Sequence, residues 1–456
     1  MNRFTRLLSL LALTLVAAPA ASRAQALVID GGTIHPMTGE PYIGRVVMER
    51  GVITAVGVDA AIPANATRID ATGLHVYPGL FDALSTVGLD EVDAVSATND
   101  QAEMGMYNPN LAAETAVQPS SEVIPVTRVN GITHTVVAPR TDRDGVVAGQ
   151  AALVNLDGWT VEEMAVNGTV ALAITWPAIV TRRFDPTTFS FKDTPYNDAK
   201  EAAQKKQNEL RDWFDAAKHY AAAVKANGSR ADTNPKLAAM IDYVEGRKPV
   251  VIAADRKADI EAVIAFAEEM GLRLILAGGE DAWKIADTLA SKKIPVILGR
   301  TQSLPNEEDD AYDLPYAAPG DLRKAGVKIA FGSGAGGGYG PSGPHGARTI
   351  PWEAGQAAAF GLSEDDAMRA LTLWPAEIYG VEKQLGSIEA GKIADLIVTD
   401  GSPLAIATNV RHLIVAGREV SLENKHLSLY EKYRARPLRH VEPPTLQPAP
   451  AQKSSP

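Results

Sequence analysis

The sequence contains no cysteine, no excess of basic residues and no apolar run long enough to cross a membrane. Without cysteine the chain has no disulfide, no thiolate nucleophile and no thiolate metal ligand. Its formal net charge of -11 over 456 residues argues against binding to a phosphate backbone. The acidic residues are scattered, which indicates solubility rather than a charged partner. We therefore expect a globular protein with no nucleic-acid partner.

The first 26 residues have the pattern of a secretory signal peptide. Arg3 and Arg6 precede the apolar run Leu7–Ala18, and small residues follow up to Ala24-Gln25-Ala26. An apolar run of about a dozen residues is well short of the roughly 20 that a membrane span needs. The pattern predicts cleavage near Ala24–Ala26, a periplasmic or secreted mature protein, and no membrane span after removal of the signal.

The remaining chain divides by its turn and strand signals. Residues 27–75 and 384–425 read as short strands separated by glycine turns, with a predicted hairpin at Arg50-Gly51. Two such pieces can pair into one small composite β-sandwich. Residues 76–383 alternate apolar runs with helical patterns, one of which is Lys257–Met270. Residues 426–456 contain five prolines from Pro437 to Pro450 and are expected to pack little.

The central segment predicts an α/β fold. Short buried strands that alternate with amphipathic helices favour a parallel sheet, and eight of them suggest a closed (β/α)8 barrel. A charged, alanine-rich stretch at Asp198–Asn227, which follows an irregular stretch at Thr181–Tyr196, predicts a solvated helix of the outer ring or an insertion, with a lid over the barrel mouth as the alternative. The predicted strands are Val76–Phe81, Ile132–Ala138, Ala151–Asn155, Val170–Ile174, Val250–Ala253, Leu272–Ala277, Pro295–Leu298 and Val327–Phe331.

Two motifs that bracket about 320 residues of the chain carry a resemblance to a known family. The first runs from Gly73 through Pro78-Gly79 to Asp82, and the second comprises Leu371-Thr-Leu-Trp-Pro375 and the stretch from Gly386 through Gly391 to Asp395. In both the chain resembles the amidohydrolase superfamily, and Asn108-Pro109 and Ala148-Gly149-Gln150 look like a periplasmic, imidazolonepropionase-like subgroup. The resemblance implies a barrel with a flanking sandwich, and a hydrolase of C–N bonds that uses zinc or another divalent metal.

The positions that carry metal ligands in the family hold other residues here. Family enzymes activate water on a metal held by histidines, carboxylates and often a carboxylated lysine at the barrel mouth. The resemblance aligns those positions with Leu84, Thr86, Ala253, Gly278 and Gly334. No His-x-His occurs in the chain, and no lysine follows Thr175-Trp176 before Lys192. We therefore expect no metal cofactor; an oxygen-rich site from Asp255, Glu280 and Glu91 is the alternative.

Polar residues that follow predicted strands are the candidates for the lining of a pocket, because loops after barrel strands form the ligand site in this architecture. Any one of them could equally be solvated or cap a helix. Asp82 matches the family's strand-one aspartate and is expected to be structural. Gly332-Ser-Gly334-Ala-Gly-Gly337 matches G-x-G-x-x-G, but no helix signal follows, which favours a flexible loop. The pocket candidates are Glu91, Asp93, Asn99, Asp100, Glu103, Gln150, Asp255, His345 and Arg348.

Two functional hypotheses follow. The first is a non-catalytic homologue that binds a small molecule, or that associates with an active amidohydrolase subunit or with further copies of itself. The second is an active hydrolase of C–N bonds that works through a rebuilt or metal-free site. Fold alone does not decide between them, since one barrel supports many activities.

Overall fold

The computed structural model describes residues 26–92, 95–141, 144–185, 187–228, 232–305, 307–335 and 344–437. Its strands form two eight-stranded sheets and one two-stranded sheet. They are β1 Leu27–Ile34, β2 Tyr42–Glu49, β3 Val52–Gly57, β4 Thr67–Asp70, β5 His75–Pro78, β6 Leu80–Ser85, β7 Ile132–Val137, β8 Val147–Asn155, β9 Ala165–Thr175, β10 Arg182–Asp185, β11 Ser190–Asp193, β12 Val250–Ala254, β13 Leu274–Gly278, β14 Val296–Leu298, β15 Ile329–Phe331, β16 Leu396–Thr399, β17 Val410–Val415 and β18 Arg418–Val420.

The helices lie mainly between the barrel strands and after the last of them. One of them, Lys257–Met270, was predicted with the same bounds, and it ends at Gly271, whose left-handed backbone (φ 68°) suits glycine. The α-helices are α1 Val123–Arg128, α2 Val161–Met164, α3 Tyr196–Asn227, α4 Pro235–Val244, α5 Lys257–Met270, α6 Ala286–Ser291, α7 Leu314–Lys324, α8 Ile350–Ala359, α9 Glu364–Ala370, α10 Leu373–Tyr379 and α11 Lys425–Arg434.

The two ends of the chain build one β domain, as expected. Its sheet has the order β18-β17-β16-β5-β1-β2-β3, and β4 pairs with the first half of β1. The predicted hairpin at Arg50-Gly51 joins β2 and β3. A separate hydrophobic cluster fills this domain and includes Ile29, Val46 and Leu396, one residue from each of three strands. Pairing of β5 with β16 links the N-terminal and C-terminal pieces.

The other eight-stranded sheet is the predicted barrel, with the order β6-β7-β8-β9-β12-β13-β14-β15. All neighbours are parallel except at β8, which runs antiparallel to both β7 and β9. The expectation of a wholly parallel sheet was therefore wrong at its third strand. Only nine residues separate β7 from β8, and nine separate β8 from β9. A parallel crossover needs a dozen or more residues, so these short connections reverse the chain.

The barrel closes between its first and last strands through loop contacts rather than a regular ladder. The backbone N–H of Gly334, just after β15, donates to the carbonyl of Leu84 at 2.7 Å. Ser333 beside it contacts Asp82 on β6 through both its backbone and its side chain. Strands one and eight are thereby joined at the end of the barrel where the strands' C-termini lie.

The first predicted barrel strand, Val76–Phe81, is divided between the two sheets. His75–Pro78 pairs with β1 and β16 in the β domain, and Leu80–Ser85 pairs with β7 in the barrel. Gly79 is the break between them. A β-carbon placed on Gly79 would lie 2.0 Å from the side-chain oxygen of Thr133 on β7. The chain therefore passes β7 at a point where no side chain fits.

Replacing Gly79 with alanine should lower the free energy of unfolding by about 1–3 kcal/mol, because the added methyl group overpacks a buried crossing. Urea unfolding of both proteins measures this loss. Gly39→Ala is the matched control: its β-carbon would meet no atom within 4 Å. A Gly79→Ala protein as stable as the Gly39→Ala protein would contradict the crossing.

The long helix predicted at Asp198–Asn227 is α3, and one of its faces is buried. Leu210, Phe214 and Ala217 lie on that face at helical spacing. The preceding stretch, predicted to be irregular, contains the β10–β11 hairpin. Helix α11 begins the predicted tail and has no buried residue, which agrees with weak packing there. Among the described residues, no helix is both long and apolar enough to cross a bilayer.

Candidate functional site

A cavity of about 220 Å³ lies at the mouth of the barrel, where the C-terminal ends of the parallel strands meet. Its walls come from the ends of β6, β7, β9, β12 and β13, from the start of β8 and from the turn after β15. The lining residues are Leu84, Ser85, Thr86, Ala138, Pro139, Arg140, Thr141, Ala148, Ala173, Ile174, Thr175, Val251, Ala253, Ala277 and Gly334. This end of a barrel is where ligands bind in this architecture.

Four of the five positions aligned with family metal ligands line this cavity. Leu84 and Thr86 come from the end of β6, Ala253 from β12 and Gly334 from the turn after β15. The described lining contains no imidazole and no carboxylate. Zinc and related ions need several nitrogen, thiolate or carboxylate donors at one point. The residues present therefore do not fit the metal that family resemblance implies.

Glycine at two of these positions also leaves little room for a ligand side chain. A β-carbon on Gly278 would lie 2.2 Å from Oδ1 of Asp255. A β-carbon on Gly334 would lie 3.0 Å from the Cα of Ser85 and 3.1 Å from the carbonyl oxygen of Leu84. Restoring a histidine or an aspartate there would require the neighbouring residues to move.

The polar part of the cavity consists of hydroxyls and one guanidinium. Thr141 and Thr175 face each other with their Oγ1 atoms 3.1 Å apart. Oγ1 of Thr86 is buried and has no hydrogen-bond partner in the described part of the chain. Arg140 is the one charged residue among the described lining residues. The sequence analysis assigned no role to Thr141 or Thr175, although Thr141 follows β7 and Thr175 is the last residue of β9.

Beneath the cavity, Asp82 is fully buried on β6. Its Oδ1 accepts the backbone N–H of Ser333 at 2.9 Å, and its Oδ2 accepts the Ser333 hydroxyl at 2.5 Å. Burial raises the pKa of Asp82 to about 7, although these hydrogen bonds and one from the Leu84 N–H lower it in part. Tyr379 donates to the carbonyl of Ala83 nearby. These contacts join strands one and eight, in keeping with the structural role expected for Asp82.

The candidates that follow the first barrel strand do not line the cavity. Glu91 is half-buried and donates its backbone N–H to Thr98; Asn99 forms an isolated bridge with Asp90. Asp100 and Glu103 are exposed. These acids lie on an irregular loop held by backbone hydrogen bonds. Asp93 lies outside the described residues.

Gln150 and Asp255 also have contacts away from the cavity. Oε1 of Gln150, on β8, accepts the Tyr243 hydroxyl of α4 at 3.1 Å. Asp255 follows β12 and lies against Gly278. Burial, followed by the charges of Asp255 and Asp281, raises the pKa of the neighbouring Glu280. The acids after β12 and β13 therefore form a loop cluster of their own.

His345 and Arg348 lie on the 3-10 helix Pro344–Thr349. His345 is exposed, and neither residue lines the cavity. A guanidinium nitrogen of Arg348 lies 2.6 Å from Nδ1 of His426 on α11. The side-chain amide of Asn130 donates to the backbone carbonyl of Arg348. Asn130 precedes β7, so Arg348 is held near the opposite end of the barrel. Residues 336–343, which include the last two glycines of the motif Gly332–Gly337, are outside the described residues.

The oxygen-rich alternative from Asp255, Glu280 and Glu91 is wrong as a convergent site. Within the described ranges, one group of three acids or histidines has ligand atoms within 4.8 Å of one another: Glu307, Asp309 and Asp310. Glu307 and Asp309 are exposed, and none of the three lines the mouth cavity. Exposed acidic clusters of this kind are common without an ion.

At the other end of the barrel a buried pair joins the barrel to the β domain. Nε2 of His134, on β7, lies 2.7 Å from Oδ2 of Asp395, and both side chains are at most 2% exposed. Oδ1 of Asp395 accepts the backbone N–H of Ala416. The backbone carbonyl of Asp395 accepts the backbone N–H of Gly79. His134 is therefore packed in the interior at the end of the barrel away from the mouth cavity.

Comparisons with known proteins agree with this architecture. Residues 187–420, a little more than half of the chain, match the model of the amidohydrolase family. An amidohydrolase named tasK from Hapsidospora irregularis is 24% identical over 392 residues, which is 80% of this chain and 38% of that protein. The chain thus spans well under half of that relative.

Two solved structures share the fold. The crystal structure of an amidohydrolase from Thermotoga maritima MSB8 superimposes with a TM-score of 0.73 at 27% identity, covering 87% of this chain and 99% of that one. Molinate hydrolase superimposes with a TM-score of 0.53 at 17% identity, covering 93% and 99% of the two chains, and shows the fold alone. On the strength of the family model and of a barrel with a composite β domain, this chain belongs to the amidohydrolase family.

Proposed function

We propose that this chain is an exported member of the amidohydrolase family that binds a small molecule at the barrel mouth without activating water on a metal. The observation that carries the proposal is the donor set of the mouth cavity. Hydroxyls, aliphatic side chains and one guanidinium stand where the family chemistry needs imidazoles and carboxylates. Hydrolysis of C–N bonds, the activity that family membership suggests, lacks its usual water-activating group here.

The steric arrangement supports the same proposal. Ligand loss at one position would be compatible with a changed metal preference. Here aliphatic, hydroxyl or glycine residues occupy all five positions, and the glycines at 278 and 334 have close neighbours where a side chain would project. A hydrolase that works through a rebuilt or metal-free site is the competing function.

Metal analysis tests the proposal. Protein purified from the periplasm without chelator or affinity-tag metal, then incubated with zinc, manganese or ferrous iron, should hold below about a tenth of an equivalent of each ion after dialysis. It should also leave cyclic amides and dipeptides intact. Bound metal near one equivalent, together with hydrolysis of these substrates, would support an active metal-dependent hydrolase and contradict the proposal.

A matched variant removes the main source of ambiguity in this experiment. Glu307→Gln/Asp310→Asn dismantles the acidic group at the surface. Metal that disappears in this variant was bound adventitiously, whereas metal that persists at one equivalent argues for a site elsewhere and against the proposal.

Export and association with other subunits are separate parts of the proposal. The signal-like pattern of residues 1–26 supports export, and N-terminal sequencing of the periplasmic product would reveal cleavage near Ala24–Ala26. Affinity purification from the native host tests association with an active amidohydrolase subunit, which would be recognised by its own His-x-His motif. Recovery of the full-length chain in the cytoplasmic fraction would contradict export.

A further inference from the structure

We infer that a second site, at the N-terminal end of the barrel, binds an amphipathic anion, and that Lys293 binds its charged head. The site is a groove of about 620 Å³ that lies where β13, β14 and β15 begin, and its lining includes Arg273, Lys293 and Lys328. We call it the basal groove. None of the described residues lines both the basal groove and the mouth cavity, so this second site is independent of the proposed function.

Four helix-to-strand turns at this end of the barrel, before β12, β13, β14 and β15, share one backbone pattern. In each, the turn residue donates its N–H to the carbonyl three residues earlier, and the next residue donates to the carbonyl five residues before it at 2.8–2.9 Å. This is the usual glycine-terminated end of a helix. Three of the turn residues are Gly246, Gly271 and Gly326, at φ 69°, 68° and 94°. The fourth is Lys293, at φ 56°.

The glycines in these turns are explained by backbone conformation and not by lack of space. A β-carbon on Gly246 or Gly271 would meet no atom within 4 Å, and one on Gly326 would lie 4.0 Å from the β-carbon of Ala290. Positive φ is disfavoured for a residue with a β-carbon, so Lys293 adopts a conformation that glycine would adopt more easily. Lysine at this position is therefore explained by its side chain.

The charges of the basal groove indicate an anionic ligand. Its described lining contains four basic side chains and two acidic ones, and both acidic ones are paired within the groove: Glu268 with Lys292, and Glu377 with Lys328. Lys293 and Arg273 are exposed and form no ion pair with any described residue; Arg273 donates to the backbone carbonyl of Arg247. They precede the neighbouring strands β14 and β13, so they lie at one edge of the sheet. Lysine and arginine bind carboxylates and phosphates alike, and either group suits this edge.

The walls of the basal groove indicate that the ligand has an aliphatic body. Most of the lining is aliphatic, and Leu272, Ala290 and Pro295 within it are partly exposed. A volume of about 620 Å³ is within the range of roughly 300–1,000 Å³ typical of small-molecule sites, which leaves room for a hydrocarbon chain beside the head. Such a chain loses water-exposed surface against these walls, whereas a sugar would bury hydroxyls without partners.

Calorimetric titration at pH 7 tests the ligand class. Octanoate and octyl phosphate carry both head and body, while acetate supplies the head alone and 1-octanol the body alone. We expect each amphipathic anion to bind at one site, at least about 10-fold more tightly than acetate or 1-octanol. A preference between the two anions identifies the head group.

Three variants of Lys293 separate binding from a purely structural role, such as attraction between the ammonium and the C-terminal end of α6. Lys293→Gln keeps the β-carbon and removes the charge, and it should weaken binding of the anions by about 10-fold or more. Lys293→Arg should bind them within about threefold of the unaltered protein. Lys293→Gly should also lose the binding, yet its melting temperature should rise by about 1–2 °C because glycine accepts positive φ.

Lys324→Gln is the charge-matched control. Lys324 is exposed on α7, pairs with Asp321 and does not line the basal groove, so this variant should bind the anions within about twofold of the unaltered protein. Thr175→Val serves as the control at the mouth cavity, and it should also bind them within about twofold. Melting temperatures establish that all variants are folded before titration.

Four outcomes would overturn the assignment. They are protein that binds neither anion, 1-octanol that binds as tightly as the anions, and full binding by Lys293→Gln. The fourth is a Lys293→Gly protein that gains stability and keeps its affinity, which would leave the lysine without a part in binding. Binding that Thr175→Val abolishes and Lys293→Gln leaves intact would place the ligand at the mouth cavity instead.

Discussion

We expect replacement of Asp395 with alanine to lower the free energy of unfolding by about 3–5 kcal/mol. The carboxylate contacts His134 of the barrel at 2.7 Å and accepts the N–H of Ala416 in the β domain, with 2% of its side chain exposed. Removing one partner of a buried pair leaves the other polar group buried without compensation, and the cost is in this range. Urea unfolding followed by circular dichroism measures the loss.

The β domain contains a matched exposed pair that serves as the control. Nδ1 of His412 lies 2.6 Å from Oε1 of Glu419, with 32% and 48% of the two side chains exposed. Glu419→Ala should cost only about 0–1 kcal/mol, because solvent screens an exposed pair. Equal losses for the two alanine variants would mean that the buried pair does not hold the barrel to the β domain.

The second large effect concerns pH and Asp82. Burial raises the pKa of this carboxyl from 3.8 to about 7, so the folded protein holds the proton more tightly than the unfolded chain does. The stabilisation from Asp82 is therefore complete below about pH 4 and is lost as the pH rises to about 7. The total loss is about 4 kcal/mol.

Asp82→Asn removes this titration while keeping the hydrogen bonds. The amide oxygen can accept from the N–H groups of Ser333 and Leu84, and the amide nitrogen can donate to the Ser333 hydroxyl. Other acids also shape the pH dependence of stability. The informative quantity is therefore the free energy of unfolding of the variant minus that of the parent at each pH. That difference should rise by about 4 kcal/mol in favour of the variant between pH 4 and pH 7.5.

Urea unfolding at half-unit pH intervals would measure this difference. Asp59→Asn makes the same change at an exposed site, and its difference from the parent should stay within about 0.5 kcal/mol across the range. A flat difference for Asp82→Asn as well would mean that Asp82 is ionised in the folded protein at neutral pH without cost.

The molecule keeps the architecture of its family, and the function proposed above gives its barrel mouth a different chemistry. Asp82, Gly79 and Asp395 belong to the motifs that carry the resemblance, and the structure gives each of them contacts that hold strands or domains together. The positions for metal ligands lie a few residues further on, at the open ends of the strands. Barrel folds tolerate this separation because stability depends on the packed interior and function on the strand ends and loops.

The sequence was sufficient for the architecture. Two motifs and eight apolar runs indicated a barrel with a β domain built from both chain ends, and the bounds of α5 matched. The same motifs placed Leu84, Thr86, Ala253 and Gly334 where family ligands would be, and these four line the cavity. Such features are local: they depend on periodicity, turn residues and short motifs that a single sequence displays.

The direction of β8 and the membership of the polar site were decided only by tertiary structure. An apolar run has the same pattern in either direction, so the reversal of β8 follows from the length of its connections and from pairing with both neighbours. Glu91, Asp255 and His345 were candidates because they follow strands, yet Thr141 and Thr175, which were not candidates, line the cavity. Which side chain turns inward after a strand depends on how the loops pack against one another, and sequence spacing does not encode that packing.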